Sequence, residues 1–475
     1  MKTVSLIRKY WAIVIILLLL PVLLYAVLKI LPTHDDWTSV TTPDFNPFFI
    51  KERFLFYGYH WRPFDAIIGY INGLNPQTLF PSFNHYMVVT GHFISALLIF
   101  KILSVLRFSH IAINISTLYF FIAPAVMATV SAVDSMNQTY ALVFDMIAFL
   151  LYIKGNYFKY IGWIGMIIIA TWWKENGLMW ALICPILAYG FDYIDRKTLK
   201  KDILIGISIM IAYALTIYLL PKNIIIHPDY IPDILKIIKN CCKFFFTTFI
   251  TVDYIYLLHH PSRHLLLALL SFIFTIPFIY YIFVKNQVMY KSKKILCTLL
   301  CLLIAVAPHL FTVFSMMHTY AGMALLCILI AYSLNSYSHI HKKISVSFAL
   351  FFFVSLLIDA HLINASIQSG KIGKNMAMEA IQKTGTPVDN VYVITIEDDY
   401  PKLSSFCVIP VDAFGWGLAS KYETNYHWPV TVQDTTLERT PDAINKAKTL
   451  GNAILSEKEY ECVWIVDHEK VDILR

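Results

Sequence analysis

The stretch YWAIVIILLLLPVLLYAVLKIL, residues 10–31, decides the class of this protein. Its one charged residue is Lys29, and as a helix it is long enough to cross the ~30 Å hydrocarbon layer of a bilayer. Lys2, Arg8 and Lys9 precede it, as basic residues precede a signal peptide. The run is too long for a signal peptide and lacks a small-residue cleavage site, so we expect a retained membrane anchor.

Ten further apolar runs follow the first one. They cover 86–101, 111–130, 137–153, 160–173, 177–191, 203–220, 264–284, 295–314, 319–334 and 344–361. With 58% hydrophobic residues and 15% charged residues, the chain has too little polar surface for a soluble globule of its size. Long runs favour helices over a barrel, whose strands are short and alternating. The sequence therefore predicts an all-α polytopic membrane protein with about 11 transmembrane helices.

Lysine and arginine predict the orientation of these helices. With the N-terminus in the cytoplasm, the inner loops hold 17 Lys and Arg residues in 52 positions, and the outer segments hold 9 in 110. Basic residues concentrate in cytoplasmic loops, so we predict a multi-pass protein of the inner or plasma membrane with a cytoplasmic N-terminus. An odd number of spans then places the C-terminal domain outside the cytoplasm.

Two domains are expected. Residues 1–363 form the membrane domain, with long outer loops at 32–85 and 221–263. Each loop has an amphipathic pattern typical of an interfacial helix, over 61–74 and 232–258, and the second could instead be a twelfth span. In the tail, 364–475, strand-like runs at 391–396, 406–409 and 462–466 and a helical stretch at 442–450 predict a small extracytoplasmic α/β domain.

Charge and cysteine content narrow the function classes. The net charge of +7 comes from short lysine clusters between apolar runs, which is typical of orientation signals and argues against a nucleic-acid partner. Six of the eight cysteines fall in apolar or interfacial segments and lack the companion ligands of a metal site. Cys407 and Cys462 lie in strand-like runs of the tail, where we hypothesise a disulfide.

Polar residues gather at the predicted outer ends of the helices. The first loop begins with His34, Asp35, Asp36 and Trp37, and it continues with His60, Trp61, Arg62 and Pro63. Later clusters contain Asp134, Asn137 and Gln138, then Lys174, Glu175 and Asn176, and finally His318. Ionisable groups near lipid are costly unless they line a wet cavity or a site, so clusters on one side predict one composite pocket.

These clusters also have purely structural interpretations. The acidic pair could form a solvated turn or cap a helix, and Asp134 and Asn137 could cap a helix. Lys174 and Glu175 could form a local ion pair, and His318 could be an interfacial histidine. Asp145 lies within a predicted span and needs a buried partner. It could be structural or part of a proton path.

The outer motifs resemble those of a known superfamily. An acidic pair in the first loop, Trp61-Arg62-Pro63 on an interfacial helix, Lys174-Glu175 at a helix end and a soluble outer tail are similar to features of the GT-C glycosyltransferases. The resemblance is to protein O-mannosyltransferases and, more loosely, to lipid A aminoarabinose transferases. It covers roughly residues 1–190 by motif. The chain has no tetratricopeptide repeats, unlike some of these relatives.

The resemblance implies an inverting transfer of a hexose or pentose from a polyprenyl-phosphate donor to a glycan, lipid or protein acceptor on the outer face. Asp35 or Asp36 would be the general base. The donor phosphate would be held by Arg62, Lys174, His60 and His318. The pocket would include Trp37, Trp61, Asp134, Asn137 and Glu175. A divalent cation, Mg²⁺ or Mn²⁺, could bridge a carboxylate and the phosphate, although the sequence shows no cage for one.

Two other function classes stay open at this stage. A transporter or flippase for lipid-linked glycan intermediates would place ionisable residues near the middle of the bilayer on broken helices. In this sequence only Asp145 lies clearly at that depth. A non-catalytic scaffold of an envelope assembly would not need the acidic pair. The one-sided distribution of the polar clusters favours the transferase.

Overall fold

A computed structural model describes residues 2–33, 36, 62–155, 158–219, 233–250, 269, 273, 280, 292–311, 314–335, 342–396, 431–467 and 470–475. The membrane part is helical. Its helices are α1 (Lys2–Val27), α2 (Pro63–Leu74), α3 (Pro76–Leu79), α4 (Ser82–Val105), α5 (His110–Ile122), α6 (Pro124–Ser131), α7 (Met136–Lys154), α8 (Lys159–Trp173), α9 (Trp180–Gly190), α10 (Arg196–Leu219), α11 (Ile234–Ile250), α12 (Lys293–Leu310), α13 (Tyr320–Asn335) and α14 (Lys342–Thr384). Short 3-10 turns, Glu175–Met179 and Met316–Thr319, precede α9 and α13.

The described helices support a helical membrane protein. Six are long and apolar enough to cross a bilayer, and a seventh span results if the bent pair α5 and α6 is counted as one. These seven coincide with seven of the eleven predicted runs. Of the other four, three correspond to α8, to α9 with its preceding turn, and to α10, and the run 264–284 lies almost entirely outside the described residues.

Two of these helices are short for a physical reason. A helix of 15 residues, such as α8, is about 22 Å long, which is less than the hydrocarbon thickness. The polar sequence Lys174-Glu175-Asn176 ends α8, and the chain then makes a 3-10 turn before the 11 residues of α9. Gly177 allows this turn to fold back, because a Cβ there would lie 2.8 Å from the Ala170 carbonyl carbon. The turn therefore packs directly against the last turn of α8.

The predicted run 111–130 is broken in the structure. Ala123 is extended between α5 and α6, and the two helices are bent by 47°. Pro124 explains the break, since it disfavours a helical conformation at the preceding residue and suits the first position of a new helix.

The predicted boundary at 363 falls inside a continuous helix. The 43 residues of α14 form a helix of about 65 Å, roughly twice the hydrocarbon thickness. One half is long enough to span the bilayer, and the other half continues to Thr384 at the start of the α/β unit. Gly370 lets α14 approach the end of the first apolar run, because a Cβ there would lie 2.7 Å from the Leu31 carbonyl oxygen.

The tail forms an α/β unit. Its elements are β1 (Asn390–Ile396), β2 (Thr431–Leu437), α15 (Ala443–Ser456), β3 (Cys462–Asp467) and β4 (Lys470–Leu474). The strand order is β2-β1-β3-β4, with β1 parallel to β2 and β3, and β4 antiparallel to β3. The C-terminal part of α14 covers one face of the sheet and α15 covers the other. The strands predicted at 391–396 and 462–466 and the helix at 442–450 agree with β1, β3 and α15, whereas 406–409 and Cys407 lie outside the described residues.

The sheet packs on one end of the helical bundle. Phe80, between α3 and α4, and Val133, before α7, belong to the same buried cluster as Val391 and Trp464 of the sheet. That end also contains the C-terminal ends of α1 and α8 and the N-terminal ends of α4 and α7. We call it the sheet end of the bundle.

Candidate functional site

Polar segments that are far apart in the sequence meet at the sheet end of the bundle. They are Asp36, Arg62 with Asp65 at the start of α2, Asp134 to Gln138 at the start of α7, Lys174 to Asn176 after α8, and His309 with His318 at the ends of α12 and of the second 3-10 turn. All of them except Asp36 lie at the ends of described helices or 3-10 turns, where backbone groups lack partners within the helix and polar side chains are favoured. Polar residues from these separate segments therefore come together in the structure.

Asp36 is held by backbone groups. One of its carboxylate oxygens accepts a hydrogen bond from the Thr33 amide at 2.9 Å, and the other accepts from the amides of Val133 at 3.1 Å and Asp134 at 3.2 Å. Burial and the nearby Asp134 carboxylate raise the pKa of Asp36, while the three amides lower it, and the net pKa is above its ordinary value. Asp36 thereby ties the first loop to the start of α7.

Arg62 and Glu175 form a forked ion pair. Nε of Arg62 lies 3.0 Å from both carboxylate oxygens of Glu175, and Nη2 lies 2.7 Å from Oε2. Nη1 points toward Asp65, 3.8 Å from Oδ2. Burial lowers the pKa of Arg62, but the carboxylates of Glu175 and Asp65 raise it by more, so its guanidinium stays charged.

Asp65, Asn137 and Lys174 continue the polar cluster. The Asn137 amide donates to Asp65 Oδ2 at 3.4 Å, and the Lys174 ammonium donates to Asn137 Oδ1 at 3.5 Å. Burial raises the pKa of Asp65 to about 7, although Arg62 and Lys174 act in the opposite direction. Burial, together with Arg62, lowers the pKa of Lys174 to about 8, although Asp134, Glu175 and Asp65 oppose this change.

Two histidines close another side of the cluster. The rings of His309 and His318 are stacked with centroids 4.2 Å apart. The Ser315 amide donates to Nδ1 of His318 at 3.1 Å, which assigns the neutral ring proton to Nε2. Nε2 of His309 lies 3.5 Å from the Asn176 amide nitrogen, and that amide also donates to Gln138 at 3.4 Å. The histidines are therefore connected to the start of α7 through the turn after α8.

An aromatic stack positions α2 beside the cluster. Phe64 stacks on Trp173 with centroids 4.7 Å apart, and Trp173 stacks on Tyr140 of α7 at 4.9 Å. Pro63 is the first residue of α2, and its fixed φ suits the first turn of a helix. Arg62, just before α2, and Asp65, in its first turn, lie beside each other. Arg62 also contacts Glu175 after α8. These stacked pairs pack α2 against α7 and α8.

The predicted site residues divide into two groups. Seven of them come together in this cluster, namely Asp36, Arg62, Asp134, Asn137, Lys174, Glu175 and His318. Asp35, Trp37, His60 and Trp61 lie outside the described residues. Asp145 is buried in α7, away from the cluster's hydrogen bonds, and its Oδ1 has no hydrogen-bond partner within the described part of the chain.

Sequence reasoning missed Asp65 and His309 as members of the site. Asp65 falls within the amphipathic range 61–74, and its position three residues after Arg62 places both on one helical face. His309 lies within the apolar run 295–314, and an ionisable residue in such a run is a signal that could have identified it.

The described residues alone do not provide a metal centre. No group of three or more His, Cys, Asp or Glu side chains in the described ranges is arranged to hold a metal ion. Within these described ranges the structure thus shows no cage for the Mg²⁺ or Mn²⁺ that the GT-C resemblance allows.

Comparison of the chain with protein families, with curated proteins and with solved structures finds no match.

Proposed function

We propose that the protein is a membrane glycosyltransferase of GT-C type, which transfers a sugar from a polyprenyl-phosphate donor to an envelope glycan, lipid or protein. The observation that carries this proposal is the meeting of cations and carboxylates from separate helix ends in one cluster. Arg62 and Lys174 supply positive charge, and Asp65, Asp134 and Glu175 supply negative charge. A transferase that acts on a lipid phosphate needs both kinds of group beside each other.

The leaving phosphate gains negative charge as its bond to the sugar breaks. Lys174 is suited to stabilise it, since a pKa of about 8 leaves most of its ammonium charged at neutral pH. Arg62 is suited to the same anion because Glu175 holds Nε and Nη2 and leaves Nη1 directed into the cluster. The neutral His318 offers Nε2–H as a further donor.

The acceptor hydroxyl must lose a proton to a carboxylate as it attacks the anomeric carbon. Asp35 is one candidate from the GT-C resemblance. Asp36 is the less suitable member of the acidic pair, because both of its oxygens already accept backbone hydrogen bonds that fix the loop.

The second candidate function, a transporter or flippase, has its own supporting observations. The break at Ala123 between α5 and α6 resembles the discontinuous helices of transporters, and Asp145 is a buried carboxylate within a candidate span. Neither feature belongs to the hydrogen bonds of the site. The transferase is favoured because it uses the cluster at the sheet end.

The two functions differ in what happens to the donor lipid, which a transferase cleaves and a flippase moves intact. Purified protein in nanodiscs is incubated with a panel of polyprenyl-phosphate hexoses and pentoses and with a membrane extract as acceptor, and release of free polyprenyl phosphate is measured. The transferase predicts release by wild type, a loss in Lys174→Ala and full activity in Lys293→Ala, whose ammonium is exposed and paired with Asp192. Movement of intact donor across proteoliposome membranes without release would favour the flippase.

A further inference from the structure

Two carboxylates of the site are already occupied as hydrogen-bond acceptors. Both oxygens of Asp36 accept backbone amides, and both oxygens of Glu175 lie within 3.0 Å of the Arg62 guanidinium. A carboxylate whose two oxygens are both engaged has no oxygen open to a substrate hydroxyl. Each therefore fits a positioning role better than proton transfer.

Asp65 is held on one side only. Its Oδ2 accepts from Asn137 at 3.4 Å and faces Arg62 Nη1 at 3.8 Å. Its Oδ1 is buried and has no hydrogen-bond partner among the residues that the structure describes. The side chain is 13% exposed, so this oxygen is shielded from bulk water while the carboxylate is oriented through the other oxygen. This arrangement is expected of a carboxylate whose free oxygen accepts a hydrogen bond from a bound substrate.

We propose that Asp65 is the proton acceptor of the transfer reaction and that its open oxygen takes the proton of the acceptor hydroxyl. The proposal rests on the proposed function. In the step, the hydroxyl oxygen forms a bond to the anomeric carbon, and the bond between that carbon and the phosphate oxygen breaks. The electron pair of the broken bond leaves on polyprenyl phosphate, and the proton moves to Asp65. Lys174 and Arg62 stabilise the phosphate.

The charges around Asp65 suit this step. The groups that face it are Arg62 before α2, Asn137 on α7, and Lys174 and Glu175 after α8. Burial raises its pKa to about 7, so near neutral pH a substantial fraction is ionised and able to accept a proton. A general base works best when its pKa lies near the working pH, because it is then both basic and deprotonated.

Two readouts test this role on the purified full-length protein in nanodiscs. Infrared difference spectra between pH 5 and pH 9 report a protonated carboxyl directly and need no substrate. We expect a carboxylic C=O band that titrates near pH 7 in wild type and in Asp389→Asn, an exposed control, and that is missing in Asp65→Asn. Persistence of the whole band in Asp65→Asn would overturn the assignment.

Turnover is the second readout. With the donor that wild type uses, Asp65→Asn should lower kcat by ~100- to 10,000-fold with little change in KM, and Asp65→Glu should restore part of the rate. Wild type kcat should fall about tenfold per pH unit below the pKa of Asp65. Binding of polyprenyl phosphate by Asp65→Asn should stay close to that of wild type, which shows that the variant is folded.

The possible failures are distinguishable. If wild type releases no polyprenyl phosphate from any donor, the proposed function is wrong and the role of Asp65 with it. If wild type turns over and Asp65→Asn does so within about tenfold of it at pH 7, the function stands and the assignment of Asp65 is wrong. If Asp35→Asn loses the decrease of kcat at low pH and Asp65→Asn keeps it, the role of proton acceptor belongs to Asp35.

Discussion

Arg62 and Glu175 are 113 residues apart in the sequence, and their side chains meet as a fork with 2.7 Å between Nη2 and Oε2. The pair joins the residue before α2 to the turn after α8. Nη1 of Arg62 then faces Asp65. The ion pair therefore orients Arg62, which we assign to the phosphate, beside Asp65, which we assign to proton transfer. The consequences of breaking it differ for its two members.

Arg62→Ala should reduce polyprenyl phosphate affinity by about tenfold or more and lower the free energy of unfolding by about 2 kcal/mol, because charge-assisted hydrogen bonds are lost. Glu175→Gln should impair both less, since the amide oxygen can still accept from Arg62. Arg62→Lys should not rescue the loss, because an ammonium cannot reproduce the fork. Lipid titration and thermal unfolding measure these effects. Equal affinities of Arg62→Ala and wild type would remove Arg62 from the phosphate site.

Asp36→Asn should destabilise the protein. The amide group presents a donor to backbone amides that need an acceptor, so at least one of the hydrogen bonds from Thr33, Val133 and Asp134 is lost. We expect a cost of about 1–3 kcal/mol, seen as a lower Tm and a lower protein level. Asp389→Asn, at an exposed position of the α/β unit, is the matched control. An unchanged Tm in Asp36→Asn would show that the tie between the first loop and α7 contributes little.

Much of this arrangement could be predicted from the sequence because it depends on local patterns. Apolar runs identify spans, and a polar cluster at a helix end is visible as Lys174-Glu175-Asn176. The break at Pro124 follows from the same kind of local rule, although the run 111–130 reads as continuous by hydropathy alone.

The pairings between clusters could not be predicted in this way. Whether Arg62 meets Glu175 or Asp134 depends on how α2, α7 and α8 pack, which is decided by aromatic contacts such as Phe64 on Trp173. The sequence points to Asp36, in the acidic pair, and not to Asp65. Only their hydrogen bonds separate a loop tie from a carboxylate with an open oxygen.

The stability of the protein should depend on pH through Asp65. The native carboxyl holds its proton up to about pH 7, whereas the unfolded carboxyl releases it near its ordinary pKa of about 4. Between these values the native state binds more protons than the unfolded state, so the contribution of Asp65 to stability decreases as the pH rises. Asp65→Asn should remove this dependence. Its Tm relative to wild type should therefore increase from pH 5 to pH 8, and a constant difference would contradict the raised pKa.

The topology can be tested with reporter fusions. The distribution of lysine and arginine predicts a cytoplasmic N-terminus and an outer C-terminal domain, and the α/β unit packs at the same end of the bundle as the site. A phosphatase fused after Arg475 should be active, and a fusion within 195–202 should be inactive. The opposite pattern would place the site on the cytoplasmic face and rule out a transferase on the outer face.

The most direct test of the composite site is the affinity of the purified protein in nanodiscs for polyprenyl phosphate, the proposed leaving group. Three proteins suffice: wild type, Lys174→Ala and the exposed control Lys293→Ala. If Lys174 holds the phosphate, its removal should weaken binding by about tenfold or more, and the control should bind as wild type does. Equal affinities of Lys174→Ala and Lys293→Ala would contradict a lipid-phosphate site at the sheet end of the bundle.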